Sequence, residues 1–187
     1  MLFTLLLVSL TGFLNAQTIT FQKTFGGVDG DYGRSVRQTF DGGYIIGGTR
    51  DGGFTTTVYL IKTNRYGLVE WEQTFFGGGA NEGAQDVRQT SDSGYILVGH
   101  IDGISVLGPE ILLIKTTVDG NFSWMKSYGD SIHYEWGFSV QQTFDGGYIV
   151  LGNKEIDDSI PNQIWLIKTN ANGDTLWTKT YGSTINP

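Results

Sequence analysis

Several residue types that support common enzyme and binding chemistries are scarce or missing in this chain. It has no cysteine and only two histidines. Without cysteine, the chain has no disulfide, no thiolate metal site and no cysteine nucleophile. Lysine and arginine form no cluster and the net charge is −7, which disfavours nucleic acid and anionic membranes as partners. No apolar run reaches the length of about 20 residues that a membrane span needs.

What the chain does contain is a long internal repeat. Its most visible markers are tryptophans spaced 53 residues apart: Trp71, Trp124 and Trp177. Each tryptophan follows a glycine by four positions, and these are Gly67, Gly120 and Gly173. A period of about 50 residues with strand-like content is typical of a β-propeller blade. The sequence therefore predicts an all-β chain with three blades, at residues 27–77, 78–129 and 130–182.

Each repeat has four strand candidates separated by turn-forming residues. The first two are joined by Asp-Gly-Gly, or Asp-Ser-Gly in the second repeat, which supplies the positive φ angles of a tight hairpin. The second and third candidates are nearly continuous apolar runs, which indicates burial on both faces. A blade packed between two others provides that environment. We therefore expect three four-stranded antiparallel units, and the 28 glycines disfavour helices.

The first residues of the chain have the pattern of an export signal. Residues 2–14 are mostly apolar, and the small residue Ala16 precedes Gln17. This pattern predicts a secretory signal peptide at residues 1–16, followed by a repeat domain at residues 17–187. We therefore expect the protein to be secreted or held at the cell surface. Because no cysteine follows the apolar run, a lipoprotein anchor is excluded.

Residues 19–26 match the fourth strand of each repeat, although no strands of the same unit precede them. The sequence thus predicts a lone N-terminal outer strand in addition to the three complete units. Three blades are also fewer than the roughly four to eight of a typical propeller. We expect the repeat domain to be truncated at its C terminus and to belong to a larger propeller. Further blades would come from a missing C-terminal part or from another chain.

The repeat resembles the blades of Kelch-type and quinoprotein-type propellers. The Kelch-like part is Asp-Gly-Gly-Tyr-Ile-Ile-Gly-Gly at residues 41–48, of which the later repeats keep only the second of the final glycines, Gly99 and Gly152. The Gly-x-x-x-Trp pattern is similar to the tryptophan-docking motif of quinoproteins. Together with the signal peptide, the chain is similar to the secreted or surface propeller proteins of Bacteroidota. The resemblance implies a fold and export, but no activity and no quinone cofactor.

Two interpretations of the repeated tryptophans are open. Their indole rings offer surfaces on which sugars stack. Alternatively, each ring packs between neighbouring blades, and the tryptophans together with Gly67, Gly120 and Gly173 are blade-docking residues. Docking is favoured because an aromatic residue at the same place in every blade is what a stacked architecture needs.

Three carboxylates recur just before the first strand of each repeat: Asp31, Glu82 and Glu135. If the first strands line a central channel, the carboxylates form a ring within it. Such a ring is suited to glycosidase chemistry or to holding a cation. The alternative is a structural pairing with lysines that also recur, Lys62, Lys115 and Lys168, since buried charges are normally paired.

Other catalytic chemistry has no support in the sequence. The histidines, His100 and His133, fall at different places in the repeat and show no metal-ligand spacing, so we expect both in loops. No motif of a nucleophile, a histidine and an acid is present. We therefore assign no catalytic residue, no cofactor and no metal site.

The connections between the second and third strands differ in every repeat, at residues 50–55, 100–109 and 154–161. Repeat proteins often place such variation on a binding face, although exposed loops also vary without a function. We predict an exported, non-enzymatic β-propeller that binds a glycan or a protein through these loops, or serves as a surface scaffold. The alternatives are a glycan-active enzyme that uses the channel carboxylates and, more remotely, a quinoprotein-like oxidoreductase.

Overall fold

The computed structural model describes residues 21–75, 81–102, 108–130, 132–156 and 162–182. The predicted signal peptide at residues 1–16 lies outside these ranges. Within them the chain forms twelve β-strands and no helix. This confirms the prediction of an all-β fold.

The strands form three four-stranded antiparallel sheets, one for each sequence repeat. The first sheet contains β1 (Asp31–Gln38), β2 (Tyr44–Asp51), β3 (Thr56–Thr63) and β4 (Val69–Phe75). The second contains β5 (Glu82–Gln89), β6 (Tyr95–Ile101), β7 (Glu110–Thr116) and β8 (Phe122–Tyr128). The third contains β9 (Glu135–Gln142), β10 (Tyr148–Lys154), β11 (Gln163–Thr169) and β12 (Thr175–Tyr181). The three predicted four-stranded units are therefore confirmed, and the described sheets form an open array.

The sheets pack against one another in chain order and converge at their first strands. One apolar core joins the first sheet to the second, and another joins the second to the third. The first strands come so close that Asp86 on β5 accepts hydrogen bonds from Ser35 on β1 and from Ser139 on β9. We therefore call β1, β5 and β9 the inner strands, and β4, β8 and β12 the outer strands.

The strands of each sheet are connected at both of their ends. Here the word edge denotes the side of a sheet formed by the strand ends, and not an edge strand. The turns β1–β2 and β3–β4, with their equivalents, lie at one edge, here called the hairpin edge. The β2–β3 connection and the link to the next sheet lie at the opposite edge, here called the loop edge, because successive strands run in opposite directions. The variable loops are therefore at the loop edge. Residues 103–107 and 157–161 of those loops lie outside the described residues.

A buried lysine beneath each hairpin explains two of the repeated motifs. Lys62 Nζ donates to Asp41 Oδ2 (2.8 Å) and to the carbonyl oxygen of Thr63 (3.0 Å). Asp41 Oδ1 in turn accepts from the hydroxyl of Thr39 (2.5 Å) and from the backbone N–H of Gly43 (2.9 Å). The other sheets contain two equivalent pairs, Lys115 with Asp92 and Lys168 with Asp145. Each buried ammonium is thus matched by a carboxylate.

The last glycine of Asp-Gly-Gly is required by the close approach of the third strand. A Cβ atom added at Gly43 would overlap the carbonyl oxygen of Thr63 and would lie 2.8 Å from Lys62 Nζ. The same overlap with a third-strand carbonyl occurs at two equivalent positions, Gly94 and Gly147. The hairpin glycine and the lysine therefore recur together, because a side chain at the glycine would overlap the third strand and crowd the lysine.

These contacts lower the pKa of the hairpin carboxylates. The hydrogen bond from Lys62, followed by that from Thr39, lowers the pKa of Asp41 from 3.8 to about 2. The pKa values of the equivalent aspartates, Asp92 and Asp145, are also lowered. Ionised hairpin aspartates therefore stabilise all three sheets.

Replacement of Ser93 by glycine is expected to stabilise the protein. The middle hairpin residue has a positive φ in every sheet, 80° at Gly42 and 82° at Gly146, but in the second sheet it is Ser93 at 66°. A side chain in the left-handed region costs about 1–2 kcal/mol, which exceeds the extra chain entropy of glycine. Ser93→Gly should raise the free energy of unfolding in urea by about 0.5–1 kcal/mol. Gly42→Ala should lower it, and a change of the same sign in both variants would contradict this account.

Acid should destabilise the fold through the hairpin aspartates. Because Asp41 has a lowered pKa of about 2 when folded, its contribution is complete above about pH 4 and is lost as the pH falls through about 2. Lys62→Met removes the partner, so its free energy of unfolding should fall less steeply over that interval than that of the wild type. Urea titrations at several pH values measure both slopes. Lys179→Met, on the outer strand β12, is the control, and equal slopes for Lys62→Met and the wild type would refute the prediction.

Candidate functional site

The first two repeated tryptophans each contact the next sheet. Trp71 packs edge to face on Tyr95 with ring centroids 5.7 Å apart, and Trp124 packs on Tyr148 at 5.9 Å. Each ring also covers a turn glycine of that sheet. A Cβ atom at Gly120 would lie 2.6 Å from Trp71, and the equivalent glycine beneath Trp124 is Gly173. These indole rings therefore lie between sheets, where they hold one repeat against the next.

The N-terminal segment occupies the place of a further outer strand beside the first sheet. The ring of Phe21 lies 5.7 Å from that of Tyr44, and a Cβ atom at Gly67 would lie 2.6 Å from it. These are the contacts that Trp71 and Trp124 make with the following sheets. Residues 21–27 nevertheless form no strand, since no described strand pairs with them. Residues 21–26 of the predicted lone outer strand therefore lie beside the first sheet without strand hydrogen bonds, and residues 19 and 20 lie outside the described residues.

Trp177 differs from the other two tryptophans because no described sheet follows it. Its side chain is 42% exposed, and every residue of β12 is exposed. The array therefore ends in an uncovered outer strand.

The three recurring carboxylates lie at the loop edge, where the inner strands begin; Glu82 and Glu135 are buried and Asp31 is partly buried. Asp31 Oδ2 accepts a hydrogen bond from the backbone N–H of Gly27 (2.6 Å), and its Oδ1 lies 3.9 Å from Arg50 Nε. Glu135 accepts a hydrogen bond from Lys154 Nζ (3.1 Å), and Glu82 is 2% exposed. Within the described ranges no group of three histidine, aspartate or glutamate side chains is placed to hold a metal ion.

The hypothesis that the recurring lysines neutralise these carboxylates is wrong. Lys62, Lys115 and Lys168 bind the hairpin aspartates at the opposite edge. The basic partners of Asp31 and Glu135 come instead from the end of the second strand, as Arg50 and Lys154. Burial raises the pKa of Glu135, and the bond from Lys154 opposes that rise. These contacts are internal to the fold.

The sequence did not lead us to predict a row of hydrogen-bonded polar side chains that crosses the three inner strands. Asp86 is 3% exposed and accepts hydrogen bonds from Ser35 Oγ (2.8 Å), Ser139 Oγ (3.0 Å) and Arg37 (3.0 Å). Arg88 Nε lies 3.3 Å from its second oxygen. The signal was available, because Asp86 replaces the serine of the other two repeats. With so many donors around it, this carboxylate ties the three inner strands together.

The histidines occupy unrelated environments. His100 lies on β6 rather than in a loop, so that expectation was wrong; its ring lies against Trp136 of the third sheet, with centroids 4.2 Å apart. Burial lowers the pKa of His100. His133 is in a connection, where Nδ1 lies 3.0 Å from Asp130 Oδ2, and this contact raises the pKa of His133. The two rings do not share a site.

The candidate binding site is a groove of about 380 Å³ at the hairpin edge between the first and second sheets. This volume falls within the range of about 300–1,000 Å³ that is typical of ligand pockets. Its lining includes three aromatic rings, Phe40, Trp71 and Tyr95, with Val118 beside them. Its polar lining includes Asp41, Lys62, Glu70, Gln89 and Asp119. We call this feature the hairpin-edge groove.

Five residues distinguish the hairpin-edge groove from the same place between the second and third sheets. They are Phe40, Glu70, Ser93, Val118 and Asp119. Their equivalents one repeat later are smaller or uncharged: Ser91, Ser123, Gly146, Ala171 and Asn172. The hairpin-edge groove therefore has an aromatic and acidic character that the equivalent position lacks.

The charges of the groove are partly neutralised by the structural lysine. Glu70 is the bulge residue before Trp71, and it accepts a hydrogen bond from Lys62 Nζ (2.7 Å). Lys62 is thus shared between Glu70 and Asp41, both of which remain about half exposed. Burial, followed by the charge of Asp41, raises the pKa of Tyr95 to about 12, so its hydroxyl stays protonated. The groove offers exposed carboxylate acceptors beside apolar rings.

No protein-family model matches the chain, and a search of curated proteins finds no match. The structure therefore supports a repeated all-β fold with propeller-like units, and the Kelch, quinoprotein and Bacteroidota features stay a resemblance. In the described part of the chain no helix has the length and apolar character to cross a membrane.

Loss of a tryptophan should cost far more in the second sheet than in the third. Trp124 is packed on Gly173 and Tyr148, whereas no described sheet packs against Trp177. We expect Trp124→Ala to lower the free energy of unfolding by about 3 kcal/mol, the lower end of the range for buried tryptophans, because Trp124 is partly buried. Trp177→Ala should lower it by less than about 1 kcal/mol. Urea unfolding of both variants tests this, and equal losses would contradict the docking role.

Proposed function

We propose that this chain is the repeat module of an exported, non-enzymatic β-propeller that binds a glycan in the hairpin-edge groove. The observation that carries the proposal is the position of the non-recurring residues. The recurring residues are used to hold the sheets together, while five residues specific to one interface line a groove of ligand size. The scaffold is therefore common to all repeats, and the binding chemistry belongs to one interface.

The chemistry of the groove suits a hydroxylated, uncharged ligand. Phe40 is largely exposed and offers an apolar face on which the C–H surface of a sugar ring packs. Asp41 and Glu70 offer carboxylate oxygens that accept hydrogen bonds from hydroxyl groups. Gln89 is already bound through its Oε1 to the backbone N–H of Phe40 (2.8 Å), which orients that hairpin. A glycan combines the apolar and hydroxyl surfaces that this lining matches.

The buried carboxylates support a binding function over the glycan-active alternative. A glycosidase needs two carboxyl groups on either side of a sugar bond. Asp31 and Glu135 are instead bonded within the fold, and Glu82 is 2% exposed. Export rests on the signal-peptide pattern at residues 1–16, and the further partner is additional blades of the same propeller.

Titration of the full chain with oligosaccharides tests the proposed ligand class. Hexaoses of β-1,4-glucose, β-1,4-N-acetylglucosamine and α-1,4-glucose are suitable probes for isothermal titration calorimetry. We expect at least one to bind, and Phe40→Ser to weaken that binding by about tenfold or more, since one lost stacking contact removes about 1.4 kcal/mol. Glu70→Ser should also weaken it.

The third repeat supplies the matched control. Phe144 stands at the repeat position of Phe40 and is fully exposed to solvent, but it lies on the third sheet, away from the groove. Phe144→Ser should leave the affinity unchanged. Binding that survives Phe40→Ser together with Glu70→Ser, or the failure of all three hexaoses to bind, would overturn the glycan proposal.

A further inference from the structure

The two interfaces between the sheets are built from the same contacts. In both, an outer-strand tryptophan covers a glycine and a tyrosine of the next sheet. In both, a hairpin N–H donates to a glutamine Oε1 on the next inner strand, from Phe40 to Gln89 and from Ser91 to Gln142, each at 2.8 Å. We call the tryptophan-bearing side of a sheet its donor face, and the side that receives it the recipient face.

The third sheet has a donor face that no described sheet covers. Ile164 stands at the repeat position of Val58 and Ile111, yet it is 51% exposed where they are 1% and 0% exposed. Leu151 stands at the position of Val98, which is buried, but is itself exposed. With Trp177, these side chains form an apolar surface in the arrangement that the other donor faces bury.

The second interface contains a charge pair that matches a residue of the donor face to a residue in the opposing turn. Lys126 Nζ donates to Asp174 Oδ1 (2.9 Å), and the hydroxyl of Tyr128 donates to the carbonyl oxygen of Gly173 (2.7 Å). The aspartate directly follows the turn glycine that Trp124 covers. At the first interface the same positions hold uncharged residues: Gln73, Phe75 and, in the turn, Asn121. The interface with a lysine on the outer strand is thus also the one with an aspartate in the opposing turn.

The third sheet repeats the lysine version of this donor face. Lys179 and Tyr181 stand on β12 at the register positions of Lys126 and Tyr128 on β8. Both side chains are exposed. Charge complementarity favours an aspartate after the glycine of a turn that packs against them.

A second copy of this chain does not offer that turn. The only recipient face left uncovered by another described sheet is that of the first sheet, where Gly67 is followed by Leu68. Phe21 already covers Gly67 and contacts Tyr44. To dock there, Trp177 of another copy would have to displace Phe21, and Lys179 would meet a leucine.

We propose that the donor face of the third sheet is a docking surface for a fourth sheet of the same repeat, one with Gly-Asp in the turn before its outer strand. That sheet supplies a glycine and a tyrosine to Trp177, an inner-strand glutamine to the backbone N–H of Phe144, and an aspartate to Lys179. The proposal rests on the proposed function only in treating the chain as part of a larger propeller. It does not involve the hairpin-edge groove.

The test joins a copy of the second repeat, residues 78–129, to the C terminus of the full chain. This repeat already has the recipient face that accepts the first sheet, and its turn is Gly120-Asn121. Two versions are compared, the copy as it stands and the copy with Asn121→Asp. Hydrogen exchange of the β12 amides is measured by mass spectrometry, since the sequence of β12 differs from that of the added strand.

We expect the added repeat to slow exchange in β12 by about tenfold or more, and Asn121→Asp in the copy to slow it further. With Lys179→Met in the original chain, the asparagine and aspartate versions should exchange equally. Unchanged exchange in β12 would overturn the docking surface. An equal gain from Asn121→Asp with and without Lys179 would overturn the selection of Gly-Asp.

Two controls keep these outcomes distinct. Exchange in β3, whose sequence is absent from the added repeat, reports whether the original sheets are folded. An unfolded added repeat on a folded array therefore counts against docking. Sedimentation of the unmodified chain tests a second copy as the occupant, and a stable dimer would refute the proposal. Glycan titration of the fusion is independent, because loss of glycan binding would leave the protection of β12 unchanged.

Discussion

The fold depends on one constraint, which is that no sheet of this chain can bury both of its apolar faces alone. The second and third strands of every repeat are apolar on both sides, so each sheet needs a neighbour on either face. Among the described sheets, only the second has a neighbour on both faces, and all but one of the residues of its strand β6 are buried. The equivalent strand of the third sheet, β10, has an exposed leucine and several partly exposed residues. Place in the array, more than sequence, sets the burial of each strand.

The recurring residues can be understood from this constraint. The tryptophan of one sheet and the turn glycine of the next form a single contact, in which a side chain on the glycine would meet the indole ring. The hairpin aspartate and the buried lysine likewise form one unit, because the lysine needs a counter-charge and the turn needs a partner for its N–H groups. Each motif therefore recurs as a pair of distant positions. The presence of Phe21 on Gly67 shows that the recipient position accepts a different aromatic ring.

The sequence predicted the number, order and type of the strands because repetition aligns three versions of the same turns and apolar runs. It did less well where the answer depends on register. Asp31 and Lys62 both recur, but Asp31 lies opposite Arg50, whereas Lys62 lies opposite Ile45, which comes five residues earlier in β2 and is roughly 17 Å away at strand spacing. No sequence motif indicates the distance between Asp31 and Lys62 in the sheet. The hairpin-edge groove was missed for another reason: attention to recurring residues passes over positions that matter because they differ.

The location of the groove explains how one interface can acquire a binding site without losing its packing. Phe40, Val118 and Asp119 lie in turns, and Glu70 is a bulge residue, so none of these four side chains belongs to the apolar core between the sheets. Substitution at such positions alters the surface chemistry and leaves the strand register unchanged. Lys62 connects the two roles, because it holds the hairpin through Asp41 and also binds Glu70. The structural ion pair thus fixes the position of a carboxylate in the groove, and a ligand there meets a surface whose geometry the fold has already set.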